Sequence, residues 1–145
     1  MDIRITRLLP ADQPRWADLW GAYLAFYETV LPPEQYQDTW ARLMHDAPLH
    51  GLAARHDSAI AGISHLLFHA SAWTTISVRY LQDFLVDPAV RRGSVGRMLI
   101  EAIAERAQAR TRLCWMTQVD NAVARGLYDK IAKETGFVRY SYALG

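Results

Sequence analysis

The sequence predicts an α+β (mixed α/β) chain with one mixed central sheet and helices on both faces, in the order β α α β β β α β α β. Three observations carry that prediction. Near the N-terminus Trp16, Leu19, Trp20, Tyr23, Leu24 and Tyr27 recur at spacings of three and four, which is one face of a helix. After Pro48 the period shortens to that of strands. Further on, a second helical stripe of Val95, Leu99, Ile103 and Ala107 leads into 113-LCWMTQV-119, so apolar that it reads as a buried parallel strand.

Taken in order, 2-DIRITRLL-9 places Ile3, Ile5 and Leu8 near alternate positions of a first strand closed by Pro10. Asp12 and Pro14 then read as a helix start, a short acidic cap with proline in the first turn. The 31-LPPE-34 stretch ends that helix, and Tyr36, Trp40, Leu43 and Met44 mark one side of a second. The segments 49-LHGLAARHD-57 and 59-AIAGISHLLFHAS-71 read as a hairpin turning at Asp57-Ser58, with 78-VRYLQDFLVDP-88 as the next strand. The segment 95-VGRMLIEAIAERAQAR-110 is a helix, and 121-NAVARGLYDKIAKET-135 is another, closed by Gly136. The last segment, 137-FVRYSYAL-144, alternates as a final strand.

Composition bounds the function. A chain of 145 residues, 51% hydrophobic and 21% charged, is expected to form one folded domain over 1–145. A formal net charge of +1 gives no global attraction to nucleic acid. No run approaches the roughly 20 apolar residues of a membrane span, and the charged N-terminus does not read as a signal peptide. One cysteine, Cys114, excludes an internal disulfide and fits a reducing, cytoplasmic setting.

The stretch 91-RRGSVGRMLI-100 carries the chemistry. A helix N-terminus exposes unpaired N–H groups and a partial positive charge. Gly93 and Gly96 open the backbone to a bulky anion, Ser94 adds a hydroxyl, and Arg91, Arg92 and Arg97 add charge and planar donors. The competing reading is a plain helix cap with solvated arginines. A Walker loop is excluded because Gly96-Arg97-Met98 stands where lysine and Ser/Thr are needed, and no G-x-G-x-x-G follows the first strand.

The wider context decides between the two readings. The segment 80-YLQDFLVDPAVRRGSVGRMLIEAI-103 followed by 117-TQVDNAVARGLYDKIAKETGF-137 resembles the GNAT superfamily of acetyl-CoA-dependent N-acetyltransferases. That family's Q/R-x-x-G-x-G/A loop falls on Arg91, Arg92, Gly93, Ser94, Val95 and Gly96, with Ser94 where glycine is usual. The resemblance implies the GNAT acyl-CoA N-acyltransferase fold and direct acetyl transfer from acetyl-CoA to a primary amine in a ternary complex. The stretch from Trp115 to Tyr140 looks closest to the small histone/polyamine acetyltransferase-like group, and 81-LQDFLV-86 is similar to the L-E-D strand of polyamine enzymes, with Gln82 in place of the glutamate.

By the same resemblance, Arg91, Arg92, Gly93, Ser94, Val95, Gly96 and Arg97 would hold the pyrophosphate. Backbone groups of Phe84, Leu85 and Val86 would pair with the pantetheine arm where this strand splays from the next, and an N–H near Leu85 would face the oxyanion. Tyr128 would lie beside the cofactor sulfur and protonate the thiolate, and Asn121 would touch the arm. Asp83 and Glu28 are the candidate bases, with a water chain as the third possibility. Tyr27 and Tyr36 either join the core with Trp20, Tyr23 and Trp40 or line an acceptor pocket. The acceptor is a small-molecule amine or a protein amine, the assembly a homodimer, and no metal is expected: His65 and His69 lie on a strand without the glutamate of an H-E-x-x-H site. The alternative is a GNAT-fold module that binds acetyl-CoA for regulation or structure without efficient transfer.

Overall fold

The computed structural model describes residues 2–46, 48–90, 94–106 and 112–145. Arg91, Arg92, Gly93 and Ala107 therefore lie outside the described residues. The strands β1 (Ile3–Arg7), β2 (Leu49–His56), β3 (Ala59–Ser71), β4 (Thr74–Val86) and β5 (Leu113–Trp115) form one sheet in sequence order. The first four pair antiparallel and β5 joins β4 in parallel, so the sheet is mixed as expected. Helices α1 (Gln13–Phe26) and α2 (Pro33–His45) cover one face. Helices α3 (Val95–Arg106) and α4 (Ala122–Ile131) cover the other.

Each face has its own core. On the first, Trp16, Trp20 and Trp40 from α1 and α2 pack on Ala53, Ile63 and Leu85 of the sheet. The Trp16 ring lies 5.2 Å from Trp20 and 4.9 Å from Trp40, contacts that add about 0.5–1.5 kcal/mol each beyond buried area. On the second, Val95, Leu99 and Ile103 of α3 are almost wholly buried against Leu66, Leu81 and Val86. The helical stripes read from sequence are buried at Trp16, Leu19 and Trp20 and at Val95, Leu99 and Ile103, because each face of the sheet needs an apolar cover. Tyr23, Leu24 and Tyr27 are half-buried.

Several boundaries differ from the sequence reading, each for a physical reason. Asp12 precedes α1 but does not cap it. Its carboxylate instead accepts the Leu9 N–H at 2.6 Å and the buried Arg55 guanidinium at 2.9 Å, and that guanidinium bond holds its pKa low. Strand β4 begins at Thr74, four residues earlier than its apolar pattern, because the hairpin with β3 continues outward through exposed residues. Strand β5 is short and half-buried rather than buried, with Cys114 exposed, because it has a neighbour only on the β4 side among the described residues. Helix α4 stops at Ile131, so Gly136 is not its cap, although its φ of +77° does use glycine's freedom. The segment 137–144 belongs to no strand, and Phe137, Val138, Tyr140, Tyr142 and Leu144 are exposed. No helix among the described residues is long and apolar enough to cross a membrane.

Candidate functional site

The parallel register of β4 and β5 runs through Arg79↔Leu113 and Tyr80↔Cys114 and ends at Leu81↔Trp115. Beyond that point Gln82, Asp83, Phe84 and Leu85 have no register partner in β5, while β3 still pairs with β4 through Val86. The sheet therefore opens at Gln82 along one edge of β4. Backbone polar groups on such an edge need a partner, which a ligand with amide groups can supply.

The same place carries an irregularity in the β3–β4 ladder. His65 pairs with Asp83 and Leu66 with Leu81, so Gln82 is the extra residue of a bulge. In a regular strand Leu81 and Asp83 would share a face. Here Leu81 belongs to the α3 core, whereas Asp83 reaches His65 and Tyr23 on the α1 side, because one inserted residue reverses the alternation. The bulge thus turns a carboxylate that sequence spacing would send toward α3 into the opposite cleft.

Asp83 is held there by a buried chain of hydrogen bonds. The Trp16 indole N–H donates to His65 Nε2 at 2.8 Å, and His65 Nδ1 lies 2.8 Å from Asp83 Oδ2. Trp16 and His65 are 0% and 1% exposed, while the Asp83 side chain retains 18%. A buried polar ring without both partners would cost about 1–3 kcal/mol, so the chain is a structural commitment as well as a chemical one.

Tyrosines surround the carboxylate. The Tyr23 phenol is raised above its ordinary range, first by burial and then by the Asp83 charge, and its ring lies 5.0 Å from Tyr27. Tyr128 projects from α4 with its ring 5.4 Å from Trp115, the β5 residue at the point where the strands part. Burial, then Tyr27, pushes the Tyr128 phenol up to about 12. Tyr27 therefore faces this cleft. Tyr36 packs against Trp16 and Trp20 in the aromatic core instead.

The remaining expected residues divide. Phe84, Leu85 and Val86 lie just past the parting point, with Leu85 in the α1 core and Val86 in the α3 core. Asp87 directs the chain toward the loop: its N–H donates to Ala61 O at 2.8 Å, its carboxylate accepts the Ala89 N–H at 2.9 Å, and it pairs with Arg15 of α1. Arg91, Arg92 and Gly93 fall outside the described residues. Ser94 is exposed, its carbonyl accepting the Met98 N–H, and the Val95 side chain is buried in the α3 core, leaving only its backbone for a ligand. A Cβ on Gly96 would meet Leu127, Phe84 and Val86 at 3.4–3.6 Å, ordinary contact that alanine tolerates. Arg97 pairs with Glu101 at 2.7 Å on the exposed helix face.

Asn121 caps α4, accepting the Ala124 N–H, and donates to Thr117 Oγ1 at 3.0 Å. Glu28 sits exposed just past the end of α1 with φ 55°, and among the described residues it makes no side-chain hydrogen bond to Asp83 or Tyr128. His69 is exposed and bonded to Ala70 O, away from the buried His65. His65 and Tyr23 are the site residues that sequence reasoning passed over. The available signal was a histidine inside the apolar run 59-AIAGISHLLF-68, since a buried imidazole needs partners for both nitrogens.

An open parallel strand pair, a carboxylate and a phenol near its mouth, and a helix N-terminus beyond it lie along one region of the sheet. Comparison with known proteins gives the family. Residues 16–132 match the Acetyltransferase (GNAT) family, and the chain belongs to that family, as an N-acetyltransferase. It is 33% identical over 143 residues to the D-amino-acid N-acetyltransferase HPA3 of Saccharomyces cerevisiae, covering 95% of this chain and 89% of that protein. Its fold is similar to a ribosomal-protein-alanine N-acetyltransferase from Brucella melitensis, with TM-score 0.82 at 20% identity over 99% of this chain and all of that one. It is also similar to the aminoglycoside N-acetyltransferase AAC(6')-Iy, solved with CoA, with TM-score 0.82 at 15% identity over 98% and 95% of the two chains.

Proposed function

We propose that this enzyme transfers the acetyl group of acetyl-CoA directly to the primary amine of a small molecule, within a ternary complex. The observation that carries this reading is the end of the β4–β5 register at Leu81↔Trp115, with Asp83 and Tyr128 placed on either side of the opening. The backbone past Gln82, at Phe84, Leu85 and Val86, takes the pantetheine arm as an added strand, and a backbone N–H near Leu85 faces the carbonyl oxygen of the thioester. The segment 91–97 that leads into α3, with Arg91, Arg92, Gly93, Ser94, Val95, Gly96 and Arg97, takes the pyrophosphate. Asn121 keeps its cap and presents its remaining surface to the arm.

The acceptor arrives from the α1 side, where Asp83 attracts an ammonium group and the faces of Tyr23 and Tyr27 receive it. An ammonium ion has no lone pair, so it first gives one proton to water in the cleft, and the neutral amine is the nucleophile. As its nitrogen bonds to the carbonyl carbon the remaining N–H grows acidic, and Asp83 takes that proton, directly or through one water. The C–S bond then breaks, the thiolate takes the Tyr128 proton, and the proton on Asp83 returns to Tyr128 through water. At about 12 the Tyr128 phenol remains protonated at neutral pH and so holds a proton to give.

Small-molecule acceptors fit this cleft better than a basic protein tail, because the charge available is one carboxylate among aromatic rings rather than an acidic surface. Amino acids head that class, in keeping with the yeast relative. Polyamines are the second acceptor class, on the L-Q-D strand at Leu81–Asp83. The enzyme works as a cytoplasmic homodimer, its association supported by the exposed apolar side chains of 137–144.

The test is calorimetric titration with acetyl-CoA of the native chain and of Arg91→Ala, followed by acetylation assays on D-amino acids, a polyamine and an aminoglycoside. Saturable binding weakened at least tenfold by Arg91→Ala, with turnover on an amine, is the expected result. Tight binding with no turnover on any amine favours the binding-module reading, and absence of binding at millimolar acetyl-CoA overturns both.

A further inference from the structure

We infer that His65 is a positioning residue for the acetyl-transfer reaction, locked by Trp16 into the tautomer that presents its Nδ1–H to Asp83. The inference rests on the reading of Asp83 as the proton acceptor and assigns a role to a histidine that this reading leaves unused.

The hydrogen-bond geometry fixes the tautomer. An indole N–H can only donate, so the 2.8 Å contact from Trp16 makes His65 Nε2 an acceptor that carries no proton. The ring proton of the neutral imidazole then sits on Nδ1, 2.8 Å from Asp83 Oδ2, where it donates to the carboxylate. One oxygen of Asp83 is thereby committed to His65. The other is left for the incoming amine, beside the Tyr23 phenol, which donates to Gln82 O at 3.4 Å and feels the Asp83 charge.

Burial makes the arrangement rigid. Trp16 and His65 are 0% and 1% exposed, and the imidazole is enclosed by the Trp16 and Trp20 rings at 6.0 and 5.6 Å. A rotation of His65 would leave both Trp16 Nε1 and Asp83 without their partners, so the carboxylate is aimed by the core of the protein. The bulge at Gln82 and the Trp16–His65 pair act together. The first brings Asp83 to this face, and the second sets which of its oxygens points outward.

The two nitrogens can be removed one at a time. His65→Asn keeps an amide donor at the place of Nδ1 and loses the acceptor for Trp16. His65→Gln keeps a polar group near Nε2 and loses the donor to Asp83. A merely structural histidine would make the two variants similar. A positioning histidine makes His65→Gln lose kcat by several-fold or more, and lets His65→Asn recover a large part of it. The KM for acetyl-CoA stays within about twofold in both, since the cofactor is held elsewhere.

The experiment is steady-state acetylation by the full chain carrying His65→Gln, His65→Asn, Asp83→Asn and His65→Gln/Asp83→Asn, with acetyl-CoA affinity as the check on folding. Non-additivity is the expected result: His65→Gln costs several-fold or more alone and less than about twofold once Asp83 is asparagine. If Asp83→Asn abolishes turnover while His65→Gln matches the parent, the positioning role fails and the base reading survives. If Asp83→Asn retains full kcat, the base reading fails and the inference falls with it. Should the His65 variants not fold, Trp16→Phe serves in their place. It leaves His65 and Asp83 intact but frees the tautomer, so a several-fold fall in kcat at constant acetyl-CoA KM supports the inference, and an unchanged kcat overturns it.

Discussion

The two faces of the sheet do different work with different materials. On the α3 side the contacts are apolar: Val95, Leu99 and Ile103 pack on Leu66, Leu81 and Val86, and what this side offers a ligand is backbone and a helix N-terminus. On the α1 side the core is threaded by buried polar groups, with Arg55 bound to Asp12 and His65 bound to both Trp16 and Asp83. A nucleotide phosphate can be recognised by N–H groups whatever the side chains are, whereas proton transfer needs one side chain at one place. On the proposed reading the difference teaches that binding draws on main-chain groups and the arginines of 91–97, and chemistry on side chains fixed by burial.

If that division holds, damage on the α1 side divides between stability and turnover, and damage on the α3 side shows in cofactor affinity. The largest stability effect is expected at Arg55. Arg55→Ala leaves the Asp12 carboxylate buried and unpaired, and should cost about 3–5 kcal/mol in urea unfolding. The same pair gives a pH signature. Asp12 has its pKa lowered in the folded state, chiefly by the Arg55 hydrogen bond. Its contribution is therefore present above the ordinary carboxylate range, near 4, and is lost as pH falls through the lower native value. Unfolding measured between pH 7 and pH 2 should show that loss in the parent and less of it in Asp12→Asn.

Next in size is Tyr128→Phe, expected to lower kcat about tenfold while acetyl-CoA affinity changes less than twofold. A kcat equal to that of the parent would remove the phenol from the proton path. At high pH the sign is opposite to that of Asp12. The Tyr128 phenol has a folded value raised to about 12, so the stability linked to it is complete below the unfolded value near 10 and is lost as pH rises through 12. Alkaline melting curves should therefore be less steep for Tyr128→Phe.

Smaller effects sharpen the contrast. Gly96→Ala adds a methyl in ordinary contact with Leu127, Phe84 and Val86, so stability should move by less than about 0.5 kcal/mol, and any larger consequence should appear in acetyl-CoA KM. Glu28→Gly relieves a left-handed non-glycine residue at the end of α1 and should stabilise the fold by up to about 1 kcal/mol with kcat unchanged. A hundredfold fall in kcat for that variant would move the base from Asp83 to Glu28.

The same division explains what the sequence disclosed. Helical stripes such as Trp16-Leu19-Trp20 and Val95-Leu99-Ile103 are local patterns, and they mark the buried faces correctly. The hairpin at Asp57-Ser58 was equally local, with Asp57 at φ 54° in the turn. The bulge at Gln82 leaves no mark in the sequence because register is set between strands. Trp16 and His65 are 49 positions apart and His65 and Asp83 18 apart, so no short motif joins them. The alternation of 137-FVRYSYAL-144 suggested a strand, but alternation shows only that a segment can pair and does not supply the neighbour.

The most direct test of the account measures kcat and acetyl-CoA affinity together for Asp83→Asn and Arg91→Ala. The account predicts a crossed result: Asp83→Asn loses kcat by about a hundredfold or more with affinity intact, and Arg91→Ala loses affinity with kcat at saturating acetyl-CoA nearly intact. An Asp83→Asn enzyme that turns over at the parental rate, or that loses affinity in step with kcat, would contradict the assignment of chemistry to the α1 side.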